Sequence, residues 1–108
     1  MISTHVLDTA RGHPAAGVPV VLEHDAGDGW QEVGRAVTDE DGRVRELLAG
    51  ALADGHYRLT FDTATYFRVV GDAVFYPEVA VVFTVAGGGH HHVPLLLSPF
   101  GYTTYRGS

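Results

Sequence analysis

Short runs of alternating hydrophobic and polar residues dominate this chain, and turn residues interrupt them about every 8 to 12 positions. In the clearest run, residues 56–62, the side chains of Tyr57, Leu59 and Phe61 alternate with polar neighbours. Successive side chains of a strand point to opposite faces, so this run predicts a half-buried antiparallel strand. Comparable runs predict further strands at residues 3–8, 18–23, 30–38, 43–48, 77–85, 90–98 and 102–106.

Local features add one helix to this outline and refine two of the strands. Residues 63–70 predict a helix of two turns, with Thr63 as its N-cap and Gly71 at its end. Pro19 predicts either the start of its strand or an edge position. The nearly continuous apolar run at 77–85 predicts a buried strand. Seven or eight short strands with one small helix indicate an all-β sandwich.

Length and composition exclude several classes of function for this chain. A length of 108 residues fits one domain, so we expect a single domain spanning 1–108. Thirteen Asp and Glu against seven Arg and no Lys give a net charge of −6, which disfavours nucleic acid and anionic membrane surfaces as partners. The absence of Cys excludes disulfides, thiolate nucleophiles and Cys-ligated zinc. The first residues lack a basic region followed by an apolar one, so we expect a cytoplasmic protein.

Seven histidines are the most conspicuous source of chemistry. Consecutive residues His90, His91 and His92 fall on a predicted strand, so the first and third share a face and the second points away. Two imidazoles on one face can bind a metal, provide a general base, or simply line a polar groove. A metal site would need a third ligand, and no Asp or Glu follows Glu78.

The remaining histidines divide into two groups. His13 and His24 fall in predicted loops and His56 on the polar side of its strand, so we interpret all three as surface residues. His5 lies in an otherwise apolar strand, where a half-buried, hydrogen-bonded side chain is the expected role.

Three segments are together similar to one known family. They are residues 3–18, which include STHVLD and GHPAAGV, residues 38–43 (TDEDGR), and residues 90–108 (HHHVPLLLSPFGYTTYRGS). The chain thereby resembles the 5-hydroxyisourate hydrolases, the enzymatic branch of the transthyretin-like family. The most specific element is the C-terminal Tyr-Arg-Gly-Ser, which the hormone-carrying transthyretins lack. The family usually has Tyr where this chain has His91, on the opposite face of the strand from the other two histidines.

The resemblance implies a fold, an assembly and a reaction. The fold is a two-sheet, eight-stranded transthyretin-like (prealbumin-like) sandwich with one short helix. The assembly is a homotetramer, a dimer of dimers, with active sites in the channel between dimers. The reaction is hydrolysis of 5-hydroxyisourate to 2-oxo-4-hydroxy-4-carboxy-5-ureidoimidazoline, an intermediate between urate and allantoin, without a metal or cofactor.

The resemblance also assigns residue roles. The family's catalytic residues correspond to His5, Arg43, His92 and Ser108, and these four together with Tyr105 are implied to bind substrate. His92, His5 or the pair would activate water, and the other positive and imidazole groups would lower the His pKa. Arg43 suits the substrate's carbonyl or anionic edge, and the Ser108 hydroxyl can hydrogen-bond the ring or the water.

Three alternatives to the hydrolase remain open. One is a transthyretin-like carrier of a hydrophobic ligand in the same channel, for which the ionisable residues at this site have no evident use. Another is a metal-binding sandwich that uses His90 and His92. The third is a structural, adhesin-like sandwich, which the lack of a secretion signal disfavours.

Overall fold

The computed structural model describes residues 1–108 and shows two β-sheets packed face to face, with one short helix. The elements are β1 Ile2–Asp8, β2 His13–Pro14, β3 Pro19–Asp25, β4 Trp30–Val37, β5 Arg43–Leu48, β6 Gly55–Phe61, α1 Thr63–Val70, β7 Val79–Val85, β8 His91–Ser98 and β9 Gly101–Thr104. The predicted two-sheet sandwich with a single short helix is confirmed. Eight strands have four or more residues, and β2 is a two-residue pairing within the predicted loop at 12–17.

The first sheet brings the two ends of the chain together. In it β1 lies between β5, which is antiparallel, and β8, which is parallel to it. Strand β9 extends the sheet beyond β8, and β2 pairs with the end of β1. The second sheet has the order β4-β3-β6-β7 and is antiparallel throughout.

The core lies between the sheets and follows the period-two pattern. Tyr57, Leu59 and Phe61 on β6 are almost completely buried, as the alternation predicts. Across the sandwich they share one cluster with side chains of the first sheet, among them Val6 and Leu95. Pro19 is the first residue of β3, a position that needs no ladder hydrogen bond from its nitrogen.

Strand β7 differs from the prediction of a buried strand at 77–85. It begins at Val79 and forms one edge of the second sheet, because it pairs only with β6. Its two ends, Val79 and Val85, are buried, whereas Val82 is 57 % exposed. The apolar run therefore marks a strand with one buried and one open face.

Helix α1 spans the predicted residues, Thr63–Val70, but its N-cap lies one residue earlier than predicted. Asp62 is the N-cap, because its carboxylate accepts hydrogen bonds from the backbone N–H of Thr65 at 3.1 Å and from its hydroxyl at 2.7 Å. Thr63 is the first helical residue, and its hydroxyl donates instead to the carbonyl of Tyr76. Gly71 ends the helix in the left-handed conformation, as predicted. This helix is too short to cross a membrane, and the chain has no other.

A buried carboxylate ties the helix to the first sheet. The Tyr66 hydroxyl donates to Asp8 at 2.6 Å, and Arg11 donates to the same carboxylate through its backbone N–H at 2.9 Å and its guanidinium at 3.3 Å. Burial raises the pKa of Asp8, but these hydrogen bonds outweigh that effect and hold the pKa below its ordinary value. Burial and the Asp8 carboxylate together raise the pKa of Tyr66.

This contact predicts a stability effect. Replacing Tyr66 with Phe should lower the free energy of unfolding by about 1–3 kcal/mol, because the Asp8 carboxylate loses a buried donor. Urea unfolding at a fixed protein concentration measures the change, since subunit association would contribute to stability. Tyr102→Phe is the matched control, because the Tyr102 hydroxyl has no hydrogen bond and 43 % of the residue is exposed. Equal losses in the two variants would contradict the prediction.

Candidate active site

Strand register gathers the polar residues of the first sheet on the face opposite the core. Ser3 lies beside His92 of β8, and His5 lies between Arg43 of β5 and Pro94 of β8. Residues that are directly opposite on neighbouring strands share a face. Strands β5 and β8 lie far apart in sequence, yet they place Arg43 and His92 on either side of β1.

A tight turn before β5 sets the position of Arg43. The Asp39 carboxylate accepts hydrogen bonds from the backbone N–H groups of Asp41 and Arg43, both at 2.9 Å. Gly42 has φ +74°, and an added Cβ would collide with the carbonyl of Val6. Val6 in turn donates its N–H to the Gly42 carbonyl at 2.7 Å. The turn is therefore held against β1, and Arg43 follows it directly.

The C-terminal segment continues alongside β8 after β9 ends. The N–H of Gly107 donates to the His92 carbonyl at 2.8 Å, and the Thr104 hydroxyl donates to the Pro94 carbonyl at 2.8 Å. A Cβ on Gly107 would lie 2.5 Å from the His92 ring and 3.2 Å from Pro94. Only glycine allows this close approach, which brings Ser108 to the same face as His92.

An open cavity of about 260 Å³ occupies this face. Its polar lining consists of Ser3, Thr4, Arg43, Arg45, His90, His92 and Ser108. The structure thus brings together three of the residues that the resemblance assigns, Arg43, His92 and Ser108, and places His90 beside them. No side-chain carboxylate lines the cavity.

His5 and Tyr105 do not line this cavity. Nε2 of His5 lies 2.8 Å from the carbonyl of Asp41, so the ring is turned toward the β5 turn. Tyr105 is 54 % exposed and lines a different groove of about 230 Å³, beside Phe83 of β7 and His91 of β8. Within one chain, the C-terminal segment therefore delivers Ser108 to the cavity and directs Tyr105 away from it.

The electrostatics of the cavity favour a neutral imidazole. Burial lowers the pKa of His92 first of all, and the charges of Arg43, His90 and His5 lower it further. This direction agrees with the sequence-based expectation. Arg43 and Arg45 have no carboxylate within ion-pair distance, in contrast to three other arginines of the chain, Arg11, Arg35 and Arg58.

Ser3 is a residue of this site that the sequence reasoning missed. Its Oγ lies 2.9 Å from Nε2 of His90 and 2.8 Å from Nδ1 of His92. The two rings are 6.3 Å apart, which confirms that they share a face. The signal was present, because Ser3 precedes His5 by two residues on one strand, and Arg45 follows Arg43 in the same way.

The other histidines lie away from the cavity. His91 is buried between the sheets, with its ring stacked 6.4 Å from that of Phe83, so its predicted opposite orientation is confirmed.

The predictions that His13 and His24 lie in loops are wrong, because His13 belongs to β2 and His24 to β3. The half-buried His24 ring stacks on Tyr57 at 4.4 Å, while His13 and His56 are exposed. No group of three His, Asp or Glu side chains converges as metal ligands.

Comparisons with known proteins extend over almost the whole chain. The family described as "Transthyretin: HIUase/Transthyretin family" matches residues 2–107. The 5-hydroxyisourate hydrolase of Deinococcus radiodurans is 49 % identical over 113 residues, covering 99 % of this chain and 95 % of the relative. The 5-hydroxyisourate hydrolase of Mus musculus is 46 % identical over 111 residues, covering 99 % of this chain and 94 % of the relative.

Solved structures show the same fold. The 5-hydroxyisourate hydrolase of Klebsiella pneumoniae has a TM-score of 0.88 at 34 % identity, covering 99 % of this chain and 98 % of that one. The transthyretin of Sparus aurata has a TM-score of 0.91 at 34 % identity, covering 98 % and 95 %. The sandwich is therefore transthyretin-like, and by its sequence this chain belongs to the HIUase/transthyretin family.

Proposed function

We propose that this chain is a 5-hydroxyisourate hydrolase, acting in the degradation of urate toward allantoin. The observation that supports it most directly is the cavity in which His92, with a lowered pKa, stands near the unpaired Arg43. The Deinococcus and mouse relatives carry the name of this enzyme and match the chain over 99 % of its length. Residues 1–108 would form one functional domain, since both sheets share a single core.

His92 is the proposed general base. Its lowered pKa keeps the imidazole neutral near pH 7, so a ring nitrogen can take a proton from water. The water oxygen attacks a ring carbonyl of 5-hydroxyisourate, the ring C–N bond breaks, and the proton goes to the departing nitrogen. A carbonyl can only accept a hydrogen bond, so Nε2 of His5 is protonated and directed at Asp41. We therefore give His5 a supporting catalytic role through its position beside Arg43 on the same face of the sheet.

The arginines and Ser108 are proposed to bind the substrate. A cavity with two unpaired guanidinium groups and no side-chain carboxylate suits a planar, anionic heterocycle. Arg43 can donate to the carbonyl under attack and stabilise the negative charge that develops there. The Ser108 hydroxyl, at the cavity wall, can hydrogen-bond the ring or the attacking water. No step of this scheme requires a metal or cofactor.

The proposal includes a cytoplasmic homotetramer, a dimer of dimers. The cavity is open on the face of the first sheet, so a neighbouring subunit could cover it and exclude water from the reaction. Tyr105 lines the other groove of its own chain. Its proposed part in substrate binding therefore requires that a neighbouring copy present it to the cavity.

An absorbance time course tests the activity. 5-Hydroxyisourate is generated in place from urate by urate oxidase, with a reaction lacking this protein to measure spontaneous decay. The protein should accelerate the decay catalytically, and His92→Ala should lose about 10²- to 10⁴-fold in rate, the usual contribution of a positioned base. His56→Ala removes an exposed histidine elsewhere and should behave as wild type. If wild type does not exceed the spontaneous rate, the hydrolase proposal is wrong.

The pH dependence tests the role of Arg43. Protonation of His92 removes the base, so kcat/KM should fall as the pH drops, with a midpoint below the ordinary His value of about 6.5. Arg43→Gln removes a charge that lowers the His92 pKa, so the midpoint should move to higher pH. Arg45→Gln removes the other cavity arginine, which does not shift that pKa, and should leave the midpoint in place. An unchanged midpoint in Arg43→Gln would refute this electrostatic coupling.

The close approach of the C-terminal segment predicts the effect of a single methyl group. Gly107→Ala should reduce kcat/KM by about 10²-fold, because its Cβ would displace the His92 ring or the segment that holds Ser108. Gly101→Ala is the matched control, since the nearest atom to its Cβ would be 3.7 Å away. The same absorbance assay compares the two, and full activity of Gly107→Ala would contradict the predicted contact.

A further inference from the structure

The Ser3 hydroxyl links two imidazoles of very different exposure. Ser3 itself is buried, and its Oγ is within hydrogen-bond distance of Nδ1 of His92 and Nε2 of His90. His92 is half-buried at the cavity wall, whereas His90 is exposed to solvent. Neither Nε2 of His92 nor Nδ1 of His90 has a partner in the chain. The three groups form a continuous hydrogen-bonded path from the cavity to solvent.

The single proton of the serine hydroxyl couples the two rings. A hydroxyl donates one hydrogen bond, so Ser3 must donate to one imidazole and accept from the other. If it donates to His90, then His92 carries its proton on Nδ1 and its Nε2 has a free lone pair. If it donates to His92, then Nε2 of His92 is protonated and cannot act as a base. The direction of this one hydroxyl therefore decides whether the neutral His92 can take a proton.

We propose that Ser3 and His90 are positioning residues that hold His92 in its Nδ1–H form and relay the abstracted proton to His90. This inference rests on the proposed function, and it adds to it the route by which the proton leaves the base. Ser3 is placed for this role by the register of β1 and β8, which sets it directly beside His92.

The relay moves protons without net consumption. Nε2 of His92 takes a proton from the attacking water while Nδ1 of His92 passes its own proton to Oγ of Ser3. Oγ passes the original hydroxyl proton to Nε2 of His90. His92 ends neutral in its other tautomer, Ser3 ends as a hydroxyl, and His90 becomes an imidazolium. Reversal of the same transfers returns a proton to the departing ring nitrogen and resets all three groups.

The surroundings of the two rings favour this location of the charge. His92 faces Arg43 on β5, His5 on β1 and His90 before β8, and no side-chain carboxylate lines the cavity to balance a second cation. A positive charge on the half-buried His92 is therefore disfavoured. The exposed His90 can be solvated when it is charged, and it lies one ring further from the reacting atoms.

NMR of the histidine side chains tests the first half of the proposal without using activity. At pH 8 the ¹⁵N shifts of His92 should show the Nδ1–H tautomer in wild type, and Ser3→Ala should abolish that preference. Ser3→Thr keeps the hydroxyl and should retain it. A wild-type His92 protonated on Nε2 would overturn the proposal. Because this measurement needs no substrate, it gives an answer even if the protein does not hydrolyse 5-hydroxyisourate.

Kinetics of His90 variants test the relay itself. His90→Gln keeps an oxygen that can accept from Ser3 but cannot bind the proton. It should lower kcat by about 10- to 100-fold, the range seen for groups that orient functional histidines at metal sites, with little change in KM. Imidazole added to the buffer should restore part of the lost kcat, as a mobile proton acceptor. His56→Gln, at another exposed histidine, should show neither the loss nor the rescue.

The outcomes separate the two proposals. If wild type is active and His90→Gln retains its kcat, the relay is wrong and the hydrolase proposal stands. If wild type is inactive, the hydrolase proposal fails, and the tautomer of His92 alone decides whether Ser3 orients it. Loss of kcat in His90→Gln with rescue by imidazole supports the relay, because a purely structural defect would not respond to a proton acceptor.

Discussion

The parallel pairing of β1 with β8 is the interaction on which the fold and the site both depend. It joins strands near the two ends of the chain and buries Val6 and Leu95 in the core. On its other face the same register sets Ser3 beside His92. Contacts so distant in sequence form only after a large loss of chain entropy, so the rest of the sandwich must compensate. The site therefore exists only when the whole chain is folded.

The sequence predicts those features of the structure that depend only on residues close together along the chain. Period two defines β6, Gly71 ends the helix, and a shared strand face unites His90 and His92. The N-cap was misplaced because Asp62 and Thr63 are both good caps, and only the tertiary contact of Thr63 with Tyr76 decides between them. The burial of an apolar strand likewise depends on its place in the sheet.

The functional residues also divide into those that the sequence identifies and those that only tertiary contacts position. The family resemblance implied Arg43, His92 and Ser108, and the structure places all three at one cavity. The resemblance did not assign Ser3. The sequence indicates that it shares a strand face with His5, but its contacts with His90 and His92 depend on the register between β1 and β8. The direction of Tyr105 is set by how the last residues run beside β8, which also depends on tertiary contacts.

A transthyretin and a hydrolase superpose on this chain with TM-scores of 0.91 and 0.88, so the fold alone does not distinguish their functions. What separates them must lie in the site. This chain has a net charge of −6, yet it places Arg43 and Arg45 together without a carboxylate partner. Two guanidinium groups beside one cavity create a positive potential that favours an anionic ligand. A cavity that brings unpaired guanidinium groups to an uncharged imidazole suits a polar, anionic substrate that reacts with water, and it has no use in holding an apolar one.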